Sequence, residues 1–92
     1  MNANELTEEQ INDIHERFPL NCKLFNYSPI GRPLTNIEAS AFCGFKPNTF
    51  EQKRMSGTGP AYIQPEGSRR VLYPEPLLLD WLAAGLRMST CA

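Results

Sequence analysis

The chain has 92 residues and a mass of 10.4 kDa, the size of one small domain. Apolar residues make up 41% of it and charged residues 21%, proportions that exclude collagen-like, coiled-coil and fully disordered chains. The formal net charge of −1 gives no general sign of a nucleic-acid binder.

Cysteine and histidine usage and hydropathy narrow the class of protein further. Three irregularly spaced cysteines and a single histidine predict neither a disulfide scaffold nor a metal site, and reduced thiols are typical of the cytosol. No apolar run reaches the roughly 18 residues of a membrane span, and the acidic N-terminus does not resemble a signal peptide. We therefore expect a cytoplasmic protein without a membrane anchor, metal or cofactor.

The near-zero net charge conceals two oppositely charged segments. Residues 1–19 carry five acidic residues against one arginine, a net of −4. Residues 20–73 carry seven basic residues against three acidic ones, a net of +4. An acidic head followed by a basic middle is a recognised hint of a nucleic-acid-binding face.

A capping box predicts where the first helix begins. Thr7 followed by Gln10 can satisfy two unpaired N–H groups at a helix start. We expect a helix over about residues 8–17, ended by Pro19 and followed by an ordered connection over residues 20–33. The apolar face of this first helix comprises Ile11, Ile14 and Phe18.

A second capping box predicts the next helix. Thr35 and Glu38 form the box, and the helix is expected over residues 36–43. Gly44 should end it, because glycine adopts the left-handed conformation at little cost. The expected buried stripe is Ile37, Ala41 and Phe42.

The helix after this turn is short and polar. Pro47 favours its first turn, and we expect it over residues 47–55 with Phe50 as its inward anchor. Helix, short turn with glycine, helix is the helix-turn-helix layout. The other side chains are predicted to point away from the core, where they can read base edges or bind phosphates. These candidate contacts are Lys46, Asn48, Thr49, Gln52, Lys53 and Arg54.

A β-hairpin and a last helix complete the predicted elements. Strand-like residues 61–64 and 69–73 flank a turn that contains proline and glycine. Two prolines then open a helix over residues 75–87, whose apolar stripe is Leu78, Trp81, Leu82 and Leu86. Leu77 and Leu79 leave two alternatives, since either the first helix covers them or they form a protein–protein contact.

Four short motifs follow one another along the chain. They are Leu-Thr-x-x-Glu-Ala at 34–39, Gly-x-Gly-Pro at 57–60, Arg-Arg-Val-Leu-Tyr at 69–73 and Trp-Leu at 81–82. Together they resemble the MerR-like/excisionase-type winged helix-turn-helix domain over residues 33–83. The resemblance implies a mainly α fold with a β-hairpin. Its domain would be a winged helix-turn-helix at 33–87, preceded by an additional N-terminal helix and connection at 1–32 and followed by a tail at 88–92.

By position, the resemblance also implies roles for single residues. Residues 47–55 would be the recognition helix in a major groove, and residues 61–73 the wing, with Ser68, Arg69 and Arg70 near the backbone or minor groove. The implied core is Leu34, Ala39, Phe42, Phe50, Tyr73, Leu78, Trp81 and Leu82. The chain departs from the family at Lys46, where a serine or threonine cap is usual, and at Lys53, where an aromatic residue is frequent.

Two classes of function fit this pattern. The first is a sequence-specific double-stranded DNA-binding protein, either an excisionase-like (recombination directionality) factor or a small transcriptional regulator of a phage or mobile element, in the bacterial cytoplasm or nucleoid. Its further partners would be an integrase or a repressor, and a homodimer or head-to-tail assembly on DNA stays open. The second is a protein-interaction module, an antirepressor or adaptor, with little DNA binding. No enzyme is expected, because no serine, cysteine or threonine has an evident histidine partner.

Overall fold

The computed structural model describes residues 6–86, so Arg87 and the predicted tail 88–92 lie outside the described residues. Within this range the elements are α1 (Glu8–Leu24), β1 (Leu34–Thr35), α2 (Asn36–Cys43), α3 (Pro47–Ser56), β2 (Leu72–Tyr73) and α4 (Glu75–Ala84). The predicted mainly helical fold with antiparallel strands is confirmed, but β2 pairs with β1, a pairing that sequence reasoning did not predict. None of the helices in this range has the length and apolarity that crossing a membrane requires.

Local capping sets the helix starts. The Thr7 hydroxyl accepts from the Gln10 N–H at 3.1 Å, and the Gln10 side chain accepts from the Thr7 N–H at 2.9 Å. Thr35 and Glu38 make the same pair of bonds at 3.2 and 3.0 Å. Both predicted capping boxes are therefore confirmed. So is the predicted end of α2 at Gly44, which has a φ of 80°, and α3 ends in the same way at Gly57 with a φ of 78°.

The predicted stop at Pro19 is wrong, because α1 continues through it to Leu24. A proline inside a helix has no N–H for the carbonyl four residues earlier, that of His15, and costs about 3 kcal/mol. Tertiary contacts after the proline offset this cost. Asn21 is buried and donates from its amide to Asp80 in α4 at 3.4 Å.

The first helix lies along α4. Ile14 and Leu79 are buried, and the half-buried Leu77 lines a small cavity together with Ile11 and Ile14 of α1. The Arg17 guanidinium donates to both carboxylate oxygens of Asp80 at 2.7 and 3.0 Å. This hydrogen bonding lowers the pKa of Asp80.

The end of α4 differs from the prediction. The helix stops at Ala84 and not at residue 87, and the Gly85 N–H binds the Leu82 carbonyl at 3.1 Å. Glycine is a poor helix former, and the chain leaves the helix there. Leu86, which was expected in the apolar stripe, is 57% exposed.

The buried side of α2 also differs from the prediction. Ile37 is 69% exposed and Ala41 is exposed, while Phe42 packs at the edge of the core. The fully buried residues are the small ones, Ala39 and Ser40, because α2 packs closely against α3. The Ser40 hydroxyl tolerates burial by donating to the Ile37 carbonyl at 3.0 Å.

The core lies between α2, α3, the sheet and α4. Phe42 and Trp81 pack against its buried residues, which are Leu34, Ala39, Phe50, Tyr73 and Leu78. This set confirms seven of the eight predicted core positions, and the eighth, Leu82, is half-buried. The Trp81 indole N–H donates to the Thr58 carbonyl at 3.1 Å, which attaches the loop after α3 to α4.

The predicted hairpin is reduced to one bridge. Ile63 and Leu72 exchange two backbone bonds of 2.8 Å, and β2 pairs on its other side with β1. Beyond this bridge, side chains replace the ladder. The Ser68 hydroxyl accepts from the Arg70 N–H at 3.0 Å, and the Gln64 amide donates to the Ser68 carbonyl at 3.1 Å.

A buried carboxylate fixes the connection that follows α1. Glu75, the first residue of α4, accepts from the Tyr27 hydroxyl, the Ile30 N–H at 3.0 Å and the Gly31 N–H at 3.1 Å. Burial is the main cause that raises the pKa of Tyr27, and the hydrogen bond from Tyr27 to Glu75 adds to the rise. The connection is therefore ordered, as predicted.

We expect Pro19→Ala to stabilise the protein by about 1–3 kcal/mol, because alanine restores the bond to the His15 carbonyl and removes the ring clash. Urea unfolding measures the change. Leu20→Ala, at a neighbouring side chain that is 68% exposed, is the control and should stay within about 0.5 kcal/mol of the wild type. A loss of stability in Pro19→Ala would show that α1 needs the proline to reach α4.

The free energy of unfolding should also decrease at low pH, because the Glu38 carboxylate becomes protonated. Hydrogen bonds from Arg32 and from the Thr35 N–H lower the pKa of Glu38 to about 2. A carboxylate whose pKa is lower in the folded state contributes stability above its unfolded pKa, and this contribution is lost as the pH falls from about 4.5 to about 2. Glu38→Gln should remove that part of the pH dependence in urea unfolding. An unchanged pH profile would contradict the assignment.

Candidate nucleic-acid interface

A single buried aromatic ring positions α3. Phe50 is fully buried, and its ring centroid lies 6.0 Å from that of Phe45, 5.1 Å from Tyr73 and 6.2 Å from Trp81. These contacts come from the turn before α3, from β2 and from α4. The predicted inward anchor is therefore confirmed, and it fixes the rotation of α3 about its own axis.

Given that rotation, helix geometry selects the outward face. Successive residues are separated by about 100° around a helix, so the positions opposite Phe50 are Asn48, Gln52 and Met55. All three are exposed, and Met55 is 82% exposed. The structure thus places two of the predicted contacts, Asn48 and Gln52, on the outermost ridge of α3.

Lys53 and Arg54 do not point away from the core as predicted. Both stand beside Phe50 on the helix and are half-buried. The Lys53 ammonium lies 5.0 Å from the centroid of the Phe45 ring, on the flank of α3 that faces the end of α4. Their aromatic neighbours explain the burial, since the methylene stems pack while the charged ends stay near solvent.

Arg54 is held on the opposite flank of α3. Its guanidinium lies 6.0 Å from the centroid of the Tyr62 ring and near the Tyr73 hydroxyl, which donates to the Asn36 side-chain oxygen at 3.4 Å. Burial raises the pKa of Tyr73, and the contact with Arg54 opposes that rise. Arg54 therefore lies close to two tyrosines that sequence reasoning did not connect with it.

An open groove runs between α3, the start of α2 and the segment after Ser68. Its volume is about 400 Å³. It gathers three guanidinium groups and one carboxylate, and its lining comprises Thr35, Asn36, Ile37, Pro47, Glu51, Arg54, Arg69, Arg70 and Val71. We call it the arginine groove. The predicted wing arginines and Arg54 thus lie at one site.

The remaining predicted contacts lie outside this groove. Lys46 is exposed as the N-cap of α3 and makes no side-chain capping bond, and Thr49 is half-buried on the flank away from the groove. Ser68 is half-buried, and its hydroxyl accepts from the Arg70 N–H. Ser68 therefore orders the backbone beneath the arginines.

Sequence reasoning missed three surface residues of this region, Ile37, Glu51 and Met55. Counting about 100° per residue from Phe50 would have found Met55 and would have placed Lys53 and Arg54 beside the anchor. Ile37 and Glu51 carry no such signal, because their place in the groove depends on how α2 and the segment after Ser68 meet α3.

Other kinds of site find little support in residues 6–86. No group of three or more His, Cys, Asp or Glu side chains gathers there to hold a metal ion. Burial raises the pKa of Cys43 to about 11, so its thiol stays protonated near neutral pH and packs as a small apolar group. No family model, curated protein or solved structure matches the chain.

We expect Phe50→Ala to destabilise the protein by about 3–5 kcal/mol, because it leaves a cavity among three aromatic rings. Urea unfolding measures the loss. Met55→Ala, on the exposed side of the same helix, is the control and should change stability by less than about 0.5 kcal/mol. Equal effects of the two substitutions would contradict the rotation assigned to α3.

Proposed function

We propose that the chain is a sequence-specific double-stranded DNA-binding protein whose residues from 33 onward act as a winged helix-turn-helix. In this proposal α2, the turn 44–46 and α3 are the helix-turn-helix, and residues 61–73 are the wing. The observation that carries it is the arginine groove, which lies directly beside the exposed polar ridge of α3. Groups that bind phosphates and groups that read bases are thereby adjacent.

The ridge supplies the base readers of this proposal. Asn48 and Gln52 are exposed amides, and an amide side chain can bond adenine through two atoms in a major groove. Lys46 and Thr49, at the start of α3, are assigned to positioning on the DNA backbone. Lys53 is assigned to phosphate contact on the flank remote from the groove.

The groove supplies the phosphate contacts. Arg69 and Arg70 are exposed beside the turn at Gly67, where they can bind the backbone or minor groove next to α3. The acidic residues of the first helix are carried on α1, which packs along α4. A net charge of −1 is therefore compatible with a local basic face.

This activity is positioning and bending of DNA without a chemical step. The motifs that resemble excisionase-type domains favour two roles, a recombination directionality factor or a small transcriptional regulator of a phage or mobile element. In the first role the protein partner would be an integrase, and in the second it would be a repressor or a second copy of the chain. The two roles use the same interface.

Salt dependence and two substitutions test the proposal. Five cations face the proposed duplex, so log affinity should fall against log salt concentration with a slope of about −3 to −5. Arg69→Ala should weaken binding to all duplexes alike and reduce the slope by about 1, because it removes one phosphate contact. Gln52→Ala should leave the slope unchanged and relax sequence preference. Gel shifts on duplexes selected from a random pool measure both effects.

Lys23→Ala is the matched control, because Lys23 is an exposed cation of α1 outside the arginine groove. It should leave the slope and the sequence preference unchanged. Full affinity retained from about 50 to 300 mM salt would contradict the proposal. The absence of any duplex binding would favour the protein-interaction alternative.

A further inference from the structure

The arginine groove contains a carboxylate whose presence phosphate binding does not explain. Glu51 lines the groove together with Arg54, Arg69 and Arg70. The ion pairs formed within residues 6–86 are Arg17–Asp80 and Arg32–Glu38, so Glu51 lies within the groove without closing onto an arginine. A carboxylate in this place repels phosphate oxygens. We therefore consider the other groups that a duplex presents, the edges of its bases.

The position of Glu51 on α3 indicates which part of a duplex it would meet. It precedes Gln52 by one residue, so it lies about 100° around the helix from that residue, toward the wing. Its side chain is exposed. The outer ridge would face the bases, and the wing arginines would face the backbone. Glu51 stands between them, at the side of the base-reading ridge.

The chemistry of base edges then narrows the ligand. In a major groove, cytosine presents its N4 amino group as a donor, and a carboxylate can only accept. Guanine presents two acceptors there, which an ionised carboxylate repels. Adenine presents a donor beside an acceptor, which suits an amide better than a carboxylate.

We propose that Glu51 is a specificity-determining residue that accepts a hydrogen bond from the N4 amino group of a cytosine in the target site. This inference rests on the proposed function, because it requires α3 to enter a major groove. The three arginines bind the phosphates around it. On a duplex that lacks the cytosine, the carboxylate finds no donor and weakens binding. Arg54, Arg69 and Arg70 thus supply affinity, and Glu51 limits it to certain sequences.

Glu51→Gln tests the inference, since the amide keeps the size of the side chain and adds a donor. Wild type and variant are each incubated with a random double-stranded DNA pool, and the bound duplexes are sequenced. We expect the preference at one base position to change from cytosine to adenine by about tenfold or more. The other positions should keep their preferences.

Glu66→Gln is the matched control, because it removes the same charge from an exposed residue of the turn before Arg69. Any general gain in affinity from the lost negative charge should occur in both variants, whereas the change at one base position should occur only in Glu51→Gln. If Glu51→Gln alters affinity for all sequences alike, the inference is overturned and the proposed function stands. If the wild type binds no duplex, the proposed function itself fails.

Discussion

The burial of Phe50 is the constraint on which the rest of the structure depends. Three rings from three different elements surround it, so α3 can neither rotate nor shift along its axis without losing these contacts. Because the residues of a helix project at fixed angles, one buried ring decides which side chains emerge on the opposite side. The exposed ridge at Asn48, Gln52 and Met55 is the direct result.

A second fixed point joins the N-terminal part of the chain to this arrangement. Burying a carboxylate is costly unless donors surround it, and Glu75 receives three, one from a tyrosine hydroxyl and two from backbone N–H groups. These bonds attach the connection after α1 to the start of α4. Arg17 and Asn21 attach α1 further along the same helix, at Asp80. The additional helix is thereby a fixed part of the structure.

Features that depend on neighbouring residues could be predicted from the sequence. The two capping boxes, the glycine ends of α2 and α3 and the inward Phe50 each follow from chemistry within a few positions of the chain. Features that depend on distant partners could not. Pro19 remains inside α1 because residues after it bond to α4, and the hairpin is short because Ser68 and Gln64 replace its ladder. The separation of Lys53 from Arg54 across α3 depends on Phe45 and Tyr62, which approach from opposite sides.

The way in which Arg54 is held has a consequence for how the three guanidinium groups would act on a duplex. An arginine that is ordered only on binding loses up to about 2 kcal/mol of side-chain entropy at that moment. Arg54 is already half-buried against the Tyr62 ring and near Tyr73, whereas Arg69 and Arg70 are exposed. On the proposed duplex, Arg54 would therefore act as the rigid reference that sets the register of α3. The two wing arginines would adapt to differences in the width and path of the adjacent groove.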